Sequence, residues 1–577
     1  MSTAARPPMY EWKDLPWRQI EREVYKLQKR IYQASRRGDK KAVHRLQRLL
    51  MKSWSAKCLA VRKVAQDNQG KKTAGVDGVR SLTPPQRLEL ARNLSLGQRA
   101  QPTRRVWIPK PGKMEKRPLG IPTMRDRAAQ ALVKFALEPE WEAKFEPNSY
   151  GFRPGRSCHD AIEAVFNSIR YQDKYVLDAD IAKCFDRIDH QALLNKLATL
   201  PALRRTIRTW LKAGFMDGGE LFPSEEGTPQ GGVVSPLLAN IALHGLEETI
   251  VSAFPRRQVA NVDRRMPTVI RYADDFVVLH RDLAVIEQVK QVASDWLAGM
   301  GLEMKPSETR VTHTLHQHEG QVGFDFLGFN VRQYTVGKTH SGKSTGRRHS
   351  PRLLGFKTII KPSIEAVRRH SKALQGVVRS HKAAPQSALI AHINTVIRGW
   401  ARYYSTVVSK STFNKLDHVT YSQLRRWAIR PHPNKARGWS AKKYWRLETG
   451  TWDFATRDGV RLRKHAATPI QRHVKVRGDK SPHDGDWVYW ASRLGRHPEL
   501  PRAVATLLKV QKGRCAYCGL YFQQDGNLPE VYATSRPPTA GTSTWANAQL
   551  LHRHCHDDKA AAHQAVVRGT RDQEPSH

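Results

Sequence analysis

Apolar residues recur with two periods along this chain, and the breaks in those periods are where chemistry is expected. Between residues 17 and 66, Ile20, Val24, Leu27 and Ile31, then Val43, Leu46, Leu49 and Leu50, fall at helical spacing among many Arg and Lys. That predicts a basic helical arm over residues 1–70. KKTAGVDGVRSLTPPQ (Lys71–Gln86) is turn-rich and leaves the arm as a loop. RRVWIPKPGKMEKRPLGIP (Arg104–Pro122) reads as strand, Pro-Gly turn and strand, a hairpin carrying Lys110 and Arg117. A helical stretch follows within 123–170 and ends in SYGFRPGRSCHDAI, a Gly-rich, Arg-bearing turn that opens a helix and suits a nucleic-acid backbone.

The most informative break is VIRYADDFVVLH (Val269–His280), where Asp274 and Asp275 interrupt an apolar, β-branched run. That is the pattern of a strand turning sharply and aiming acids into a cleft. Taken alone, Tyr-Ala-Asp-Asp is also the composition of a solvated turn. A second acid site changes the balance: in YVLDADIAKCFD (Tyr175–Asp186), Val176 and Leu177 read as a short buried strand that ends at Asp180. Carboxylates are the hard ligands that a pair of divalent cations about 4 Å apart takes in a polymerase. Lys110 and Arg117, at the mouth of such an acid-rich cleft, would suit a triphosphate.

Charge narrows the partner. Lys and Arg number 97 against 52 Asp and Glu, a formal net charge of +45, so a polyanion is expected, and nucleic acid before anionic lipid. No apolar run reaches the roughly 18 residues of a membrane span, and the first residues carry neither a secretory nor an organellar pattern. The expected location is the bacterial cytoplasm, on nucleic acid. From 351 to 480 there are 28 Lys and Arg against 6 Asp and Glu. Within it, Leu389, Ile393, Val396, Ile397, Trp400 and Tyr404 form one helical stripe, with Arg398 and Arg402 off it. Such a helix can pack by one face and neutralise phosphates with the other. GKTHSGKSTGRRHS (Gly337–Ser350) is a polar insertion whose GKST lacks the first glycine and the strand of a P-loop.

RPLGIP, GFRPGRSCHDAI, DADIAKCFDRIDH, GTPQGGVVSPLLANI, RYADDFVVL, GLEMKPSET and FDFLGF, ordered from about residue 71 to 335, resemble a bacterial group II intron-encoded protein, a reverse transcriptase combined with a maturase. INTVIRGWARYY followed by LRRWAIRPHPNK resembles that family's maturase domain X. The resemblance implies that Asp180, Asp274 and Asp275 bind two Mg²⁺ as the catalytic triad, and that Lys110 and Arg117 contact the triphosphate. It further implies that Phe185 excludes a 2′ hydroxyl and that Gln230 contacts the nucleotide or template backbone. Arg398, Arg402, Arg425 and Arg426 are the expected RNA contacts, and Asp178 is expected to be a hydrogen-bonded strand acid.

CAYC (Cys515–Cys518) and LLHRHCHDDK (Leu551–Lys559) offer Cys515, Cys518, His552 and Cys555, four ligands for a closed structural Zn²⁺ site. The arrangement resembles a His-Asn-His endonuclease module, with Asn547 as the central Asn and His556 as the last His. It departs at Glu530-Val531-Tyr532-Ala533, where Tyr532 stands for the metal-binding acid and Ala533 for the general-base His. Nuclease activity is therefore expected to be lost.

The expected fold is multidomain α+β: a right-hand polymerase with an antiparallel sheet in fingers and palm, a helical thumb, and a small zinc-bound ββα-like module. The expected divisions are the arm 1–70, fingers and palm 71–335, thumb and domain X 336–450, a basic DNA-binding region 451–504, the zinc module 505–566 and a tail 567–577. The expected activity is RNA-directed DNA polymerisation from deoxynucleoside triphosphates, with binding and splicing assistance of intron RNA and copying at a DNA target. A reverse transcriptase used in defence or diversity generation, and a non-catalytic splicing factor, are the alternatives. An adjoining intron RNA and an intact acid triad, respectively, distinguish them.

Overall fold

The computed structural model describes residues 11–109, 115–254, 258–259, 262–263, 266–344, 353–448, 450–523, 529–533 and 548–560. Lys110, Asn547, the 345–350 part of the polar insertion and the tail lie outside the described residues.

The arm forms the helices Trp17–Arg36, Lys40–Lys52 and Trp54–Arg62. Ile20, Val24, Ile31, Val43, Leu46 and Leu50 are buried as the spacing requires, whereas Leu49 is 53% exposed. These apolar faces enter one core with the Met124–Glu142 helix and with palm residues such as Val278. The arm is thus part of the polymerase body, because its amphipathic stripe has nowhere else to be covered.

Two four-stranded sheets follow. In the first, the order is Lys116–Ile121, Thr103–Pro109, Phe215–Asp217, Glu220–Phe222. Thr103–Pro109 pairs antiparallel with Lys116–Ile121 but parallel with Phe215–Asp217, so this sheet is mixed and not purely antiparallel as expected. The second, the palm sheet, is antiparallel throughout, in the order Arg310–His313, Tyr175–Asp180, Asp275–His280, Thr268–Tyr272. Its middle strands, Val176–Leu177 and Phe276–Leu279, are fully buried. That burial explains their unbroken apolar run. After Asp180 the chain does not continue as one helix: Cys184–Arg187 and His190–Leu197 are separate turns and helices.

A three-stranded sheet (Phe324–Phe326, Phe329–Thr335, Phe356–Pro362) leads to the helices Ile364–Ser380, Gln386–Tyr404 and Lys410–Ile429. Leu389, Ile393, Ile397 and Tyr404 are buried while Val396 and Trp400 are half-buried. The hairpin Trp445–Glu448/Thr451–Phe454 closes the same core through Trp445 and Phe454.

Residues 465–500 then run as a strap from the thumb back across the body. His465 is held by Asp417 at 2.7 Å and by His370 at 2.9 Å. Further on, buried Asp160 accepts from the Val476 amide (2.8 Å) and Arg493 (2.7 Å) and meets His473 at 3.0 Å. Arg156 donates to the carbonyls of Gly478 and Lys480. Trp490 lies against Gly155, where a Cβ would come within 2.5 Å of the ring. The strap ends on the first helix, where Tyr25 donates to the Pro482 carbonyl at 3.0 Å and Lys29 pairs with Glu499 at 2.6 Å. Trp487–Leu494 within the strap and the helix Arg502–Val510 after it share a small core with Cys515, Leu550, Leu551 and Cys555.

Candidate active site

The palm register brings the three acids together. Asp180 and Asp275 are direct cross-strand partners, and Asp274 sits in the two-residue turn beside them. The Ile181 amide donates to the Asp274 carbonyl at 3.3 Å and the Lys305 amide to that of Asp180 at 2.8 Å. Ala273 in this turn has φ +59°, a left-handed conformation that costs a Cβ-bearing residue about 1 kcal/mol or more. Arg271, buried beneath it, holds the turn: its guanidinium donates to the Ala273 carbonyl (3.1 Å), Asn240 (3.3 Å) and Ser149 (2.8 Å). Gly151 packs so closely that a Cβ there would lie 2.3 Å from the Ala273 nitrogen.

The acids crowd one another, and their proton affinities rise. Burial, then the neighbouring carboxylates, pushes Asp180 up to about 6 and Asp275 up to about 8. Burial also raises Asp274, against the pull of Arg117 and Arg271. Three crowded carboxylates with too little positive charge around them are the donor set that hard divalent ions fit. Asp178, two residues before Asp180 on the same face of the strand, lies 3.6 Å from Arg310, and burial lifts it to about 7.

Around the acids, Arg117 stands exposed opposite Ile108 in the fingers hairpin, and its charge acts on both Asp274 and Asp186. Phe185 is half-buried and meets Phe152 edge-on at 6.1 Å. Its carbonyl accepts from Thr228. Gln230 donates to Asp186 at 3.0 Å, and its own carbonyl accepts from Gly120 at 2.6 Å. Gly227, at φ +80°, lies where a Cβ would meet the Asp186 backbone at 2.6 Å, so only glycine lets this loop close on the Phe185 segment. Arg105, over the Phe215 ring at 3.2 Å and facing Asp186, was not singled out by sequence. Nor were Lys305 and Glu308, whose carboxylate bonds Asp180, although both lie in the GLEMKPSET motif.

On the thumb, Arg398, Arg402, Arg425 and Arg426 all stand exposed on helices whose other faces are buried. In the carboxyl-terminal module the ligand atoms of Cys515, Cys518, His552 and Cys555 lie within 4.8 Å of one another. The Tyr517 amide approaches the Cys515 sulfur at 3.4 Å, and Gly519 turns the chain at φ +72°. His556 sits 3.4 Å from Glu530 and 3.6 Å from Asp557, a second cluster that spacing did not reveal. Tyr532 meets His556 edge-on at 5.6 Å.

A sheet of paired acid strands, with a basic-sided hairpin before it and a helical domain after it, fits a reverse transcriptase domain. Comparison with known proteins agrees: residues 108–331 match the family described as reverse transcriptase (RNA-dependent DNA polymerase), 12–94 the N-terminal domain of reverse transcriptase, and 367–445 the group II intron maturase-specific domain. Protein YkfC of Escherichia coli is 34% identical over 331 residues, covering 50% of this chain and 83% of that protein. Group II intron-encoded protein LtrA of Lactococcus lactis is 26% identical over 396 residues, 56% of this chain and 63% of LtrA. Maturase-like protein 1 of Euglena gracilis is 32% identical over 246 residues, 40% and 51% of the two chains. The chain belongs to the group II intron reverse transcriptase and maturase family, and so is an RNA-directed DNA polymerase with a splicing role. Among the described residues, no helix is long and apolar enough to cross a membrane.

Proposed function

We propose that Asp180, Asp274 and Asp275 hold two Mg²⁺ and that the protein copies its own intron RNA into DNA at a DNA target. The observation that carries this is the cross-strand pairing of Asp180 with Asp275 beside the strained Asp274 turn. Magnesium bound there supplies Lewis-acid stabilisation of the charge that develops on the transferring phosphate. The primer 3′ oxygen attacks the α-phosphorus of the nucleotide, and pyrophosphate leaves. Arg117 and Lys110 hold the triphosphate, Phe185 packs against the sugar where a 2′ hydroxyl would project, and Gln230, braced by Asp186, shapes the floor. Arg398, Arg402, Arg425 and Arg426 neutralise phosphates of the bound RNA. The test is extension of a DNA primer on an RNA template with Mg²⁺, run beside a splicing assay on the RNA that flanks the reading frame. Both activities are expected; splicing stimulation without extension would identify a non-catalytic factor instead.

The carboxyl-terminal module, in this reading, is a His-Asn-His fold held by one Zn²⁺ on Cys515, Cys518, His552 and Cys555 and devoid of nuclease activity. Glu530, His556 and Asp557 could still hold an ion, but Tyr532 and Ala533 supply no base for water. Elemental analysis should give one zinc per chain, reduced by Cys518→Ser, and the ribonucleoprotein should leave the second DNA strand intact. Robust nicking that His556→Ala abolishes would refute the assignment.

A further inference from the structure

A cleft outside the polymerase site lies between the helices Lys410–Ile429 and Arg437–Tyr444 and the hairpin that follows them. It encloses about 90 Å³ and is lined by Tyr421, Arg425, Arg437, Ser440, Trp445 and Trp452 among others, with no carboxylate among the described residues. Tyr421 and Trp445 meet edge to face at 5.7 Å and form one wall. Trp452 is 54% exposed and Tyr421 47%, a large amount of aromatic surface to leave in water at the edge of a packed core. Ser440 is only 2% exposed, yet its hydroxyl has no hydrogen-bond partner. A buried hydroxyl left unmet is uncommon, and one that lines a cleft marks where a ligand would complete it.

We propose that this cleft receives a single unpaired nucleobase of the bound RNA. The inference rests on the reading of the thumb as an RNA-binding surface and adds to it a site for one splayed-out nucleotide. Every base has a flat face that stacks on aromatic rings without regard to sequence, and an edge that exchanges a hydrogen bond with a hydroxyl. The phosphates flanking it are anions that Arg425 and Arg437 pair with from the rim. A continuous duplex needs the two guanidiniums but has nothing to put between Trp452 and Tyr421. RNA recognition by stacking favours bulges and loops for this reason. Arg425 belongs both to the cleft and to the exposed cationic face of its helix, so a duplex gripped by that face passes the cleft mouth.

The experiment titrates the full-length protein with two RNA hairpins of one stem, the first fully paired and the second carrying one bulged 2-aminopurine. Anisotropy gives the affinities and 2-aminopurine emission reports stacking. The bulged hairpin is expected to bind about tenfold more tightly, with its emission quenched. Trp452→Ala and Arg437→Ala should each erase that preference, and Trp452→Phe should keep most of it. Equal affinity for the two hairpins with unquenched emission overturns the base site and leaves the RNA-binding thumb standing. A preference that survives both alanine variants overturns the base site as well. Binding of neither hairpin overturns both.

Discussion

The Asp275→Asn protein is expected to lose primer extension by on the order of 10³-fold or more, since a metal-held transition state is worth several kcal/mol. The same change should raise stability in EDTA. Asp275 is pushed up to about 8 by burial and by the charges of Asp274 and Asp180. A carboxyl whose folded value lies above its unfolded one destabilises the fold at every pH above the unfolded value. Removing it relieves repulsion without opening a cavity. Activity and stability therefore move in opposite directions, as they do where a site is built for function at the expense of the fold. Primer extension and a thermal melt in EDTA check the two halves. A variant that extends primers normally, or that melts well below the unaltered protein, would remove Asp275 from the centre.

The Asp160→Ala protein is expected to lose about 3–5 kcal/mol of stability, the usual result of removing one side of a buried charge pair. Asp160 is fully buried, caps its helix through Ser157 and receives the strap through His473, Val476 and Arg493. Burial alone would raise its carboxyl. The hydrogen bond and charge of His473, with Arg493, outweigh that and hold it down at about 2. Its folded value lies below the ordinary 3.8, so its contribution is complete above about pH 4 and disappears as the pH falls toward 2. That contribution is about 2 kcal/mol. Urea unfolding at pH 7 measures the alanine variant, and limited proteolysis should find new cuts between residues 465 and 500. Unchanged unfolding with an intact strap would show that Asp160 does not hold it.

The acids were legible in the sequence because two carboxylates inside a β-branched run have no place in an ordinary core. The Cys and His cluster was legible for a similar reason, since paired Cys and His at short spacing are rarely chance. Their supports were not. Arg271 is a buried arginine in a strand, and nothing local shows that Ser149, 122 positions away, takes its guanidinium. The strap falls in the segment read as a basic DNA-binding region, and its role as a tie was not seen because several of its partners are single polar groups hundreds of residues distant: Arg493 reaches Asp160 across 333 positions. Periodicity reports faces of elements, and residues 468–486 of the strap form no helix or strand whose face it could report. Leu49 shows the reverse limit, an apolar residue at helical spacing that the fold leaves in water. The mixed fingers sheet was missed because Phe215–Asp217 is three residues long and pairs in parallel over just two of them with Thr103–Pro109.

The strap also sets an order of events during synthesis. Tyr25 is made early, yet the Pro482 carbonyl that takes its hydroxyl comes 457 residues later. At about 5–20 residues per second, roughly 20 to 90 seconds of translation separates the two. Through that interval the helical arm and the palm fold without the segment that ties them to the thumb. The enzyme is thus fastened shut by a segment made hundreds of residues after the helix it closes on.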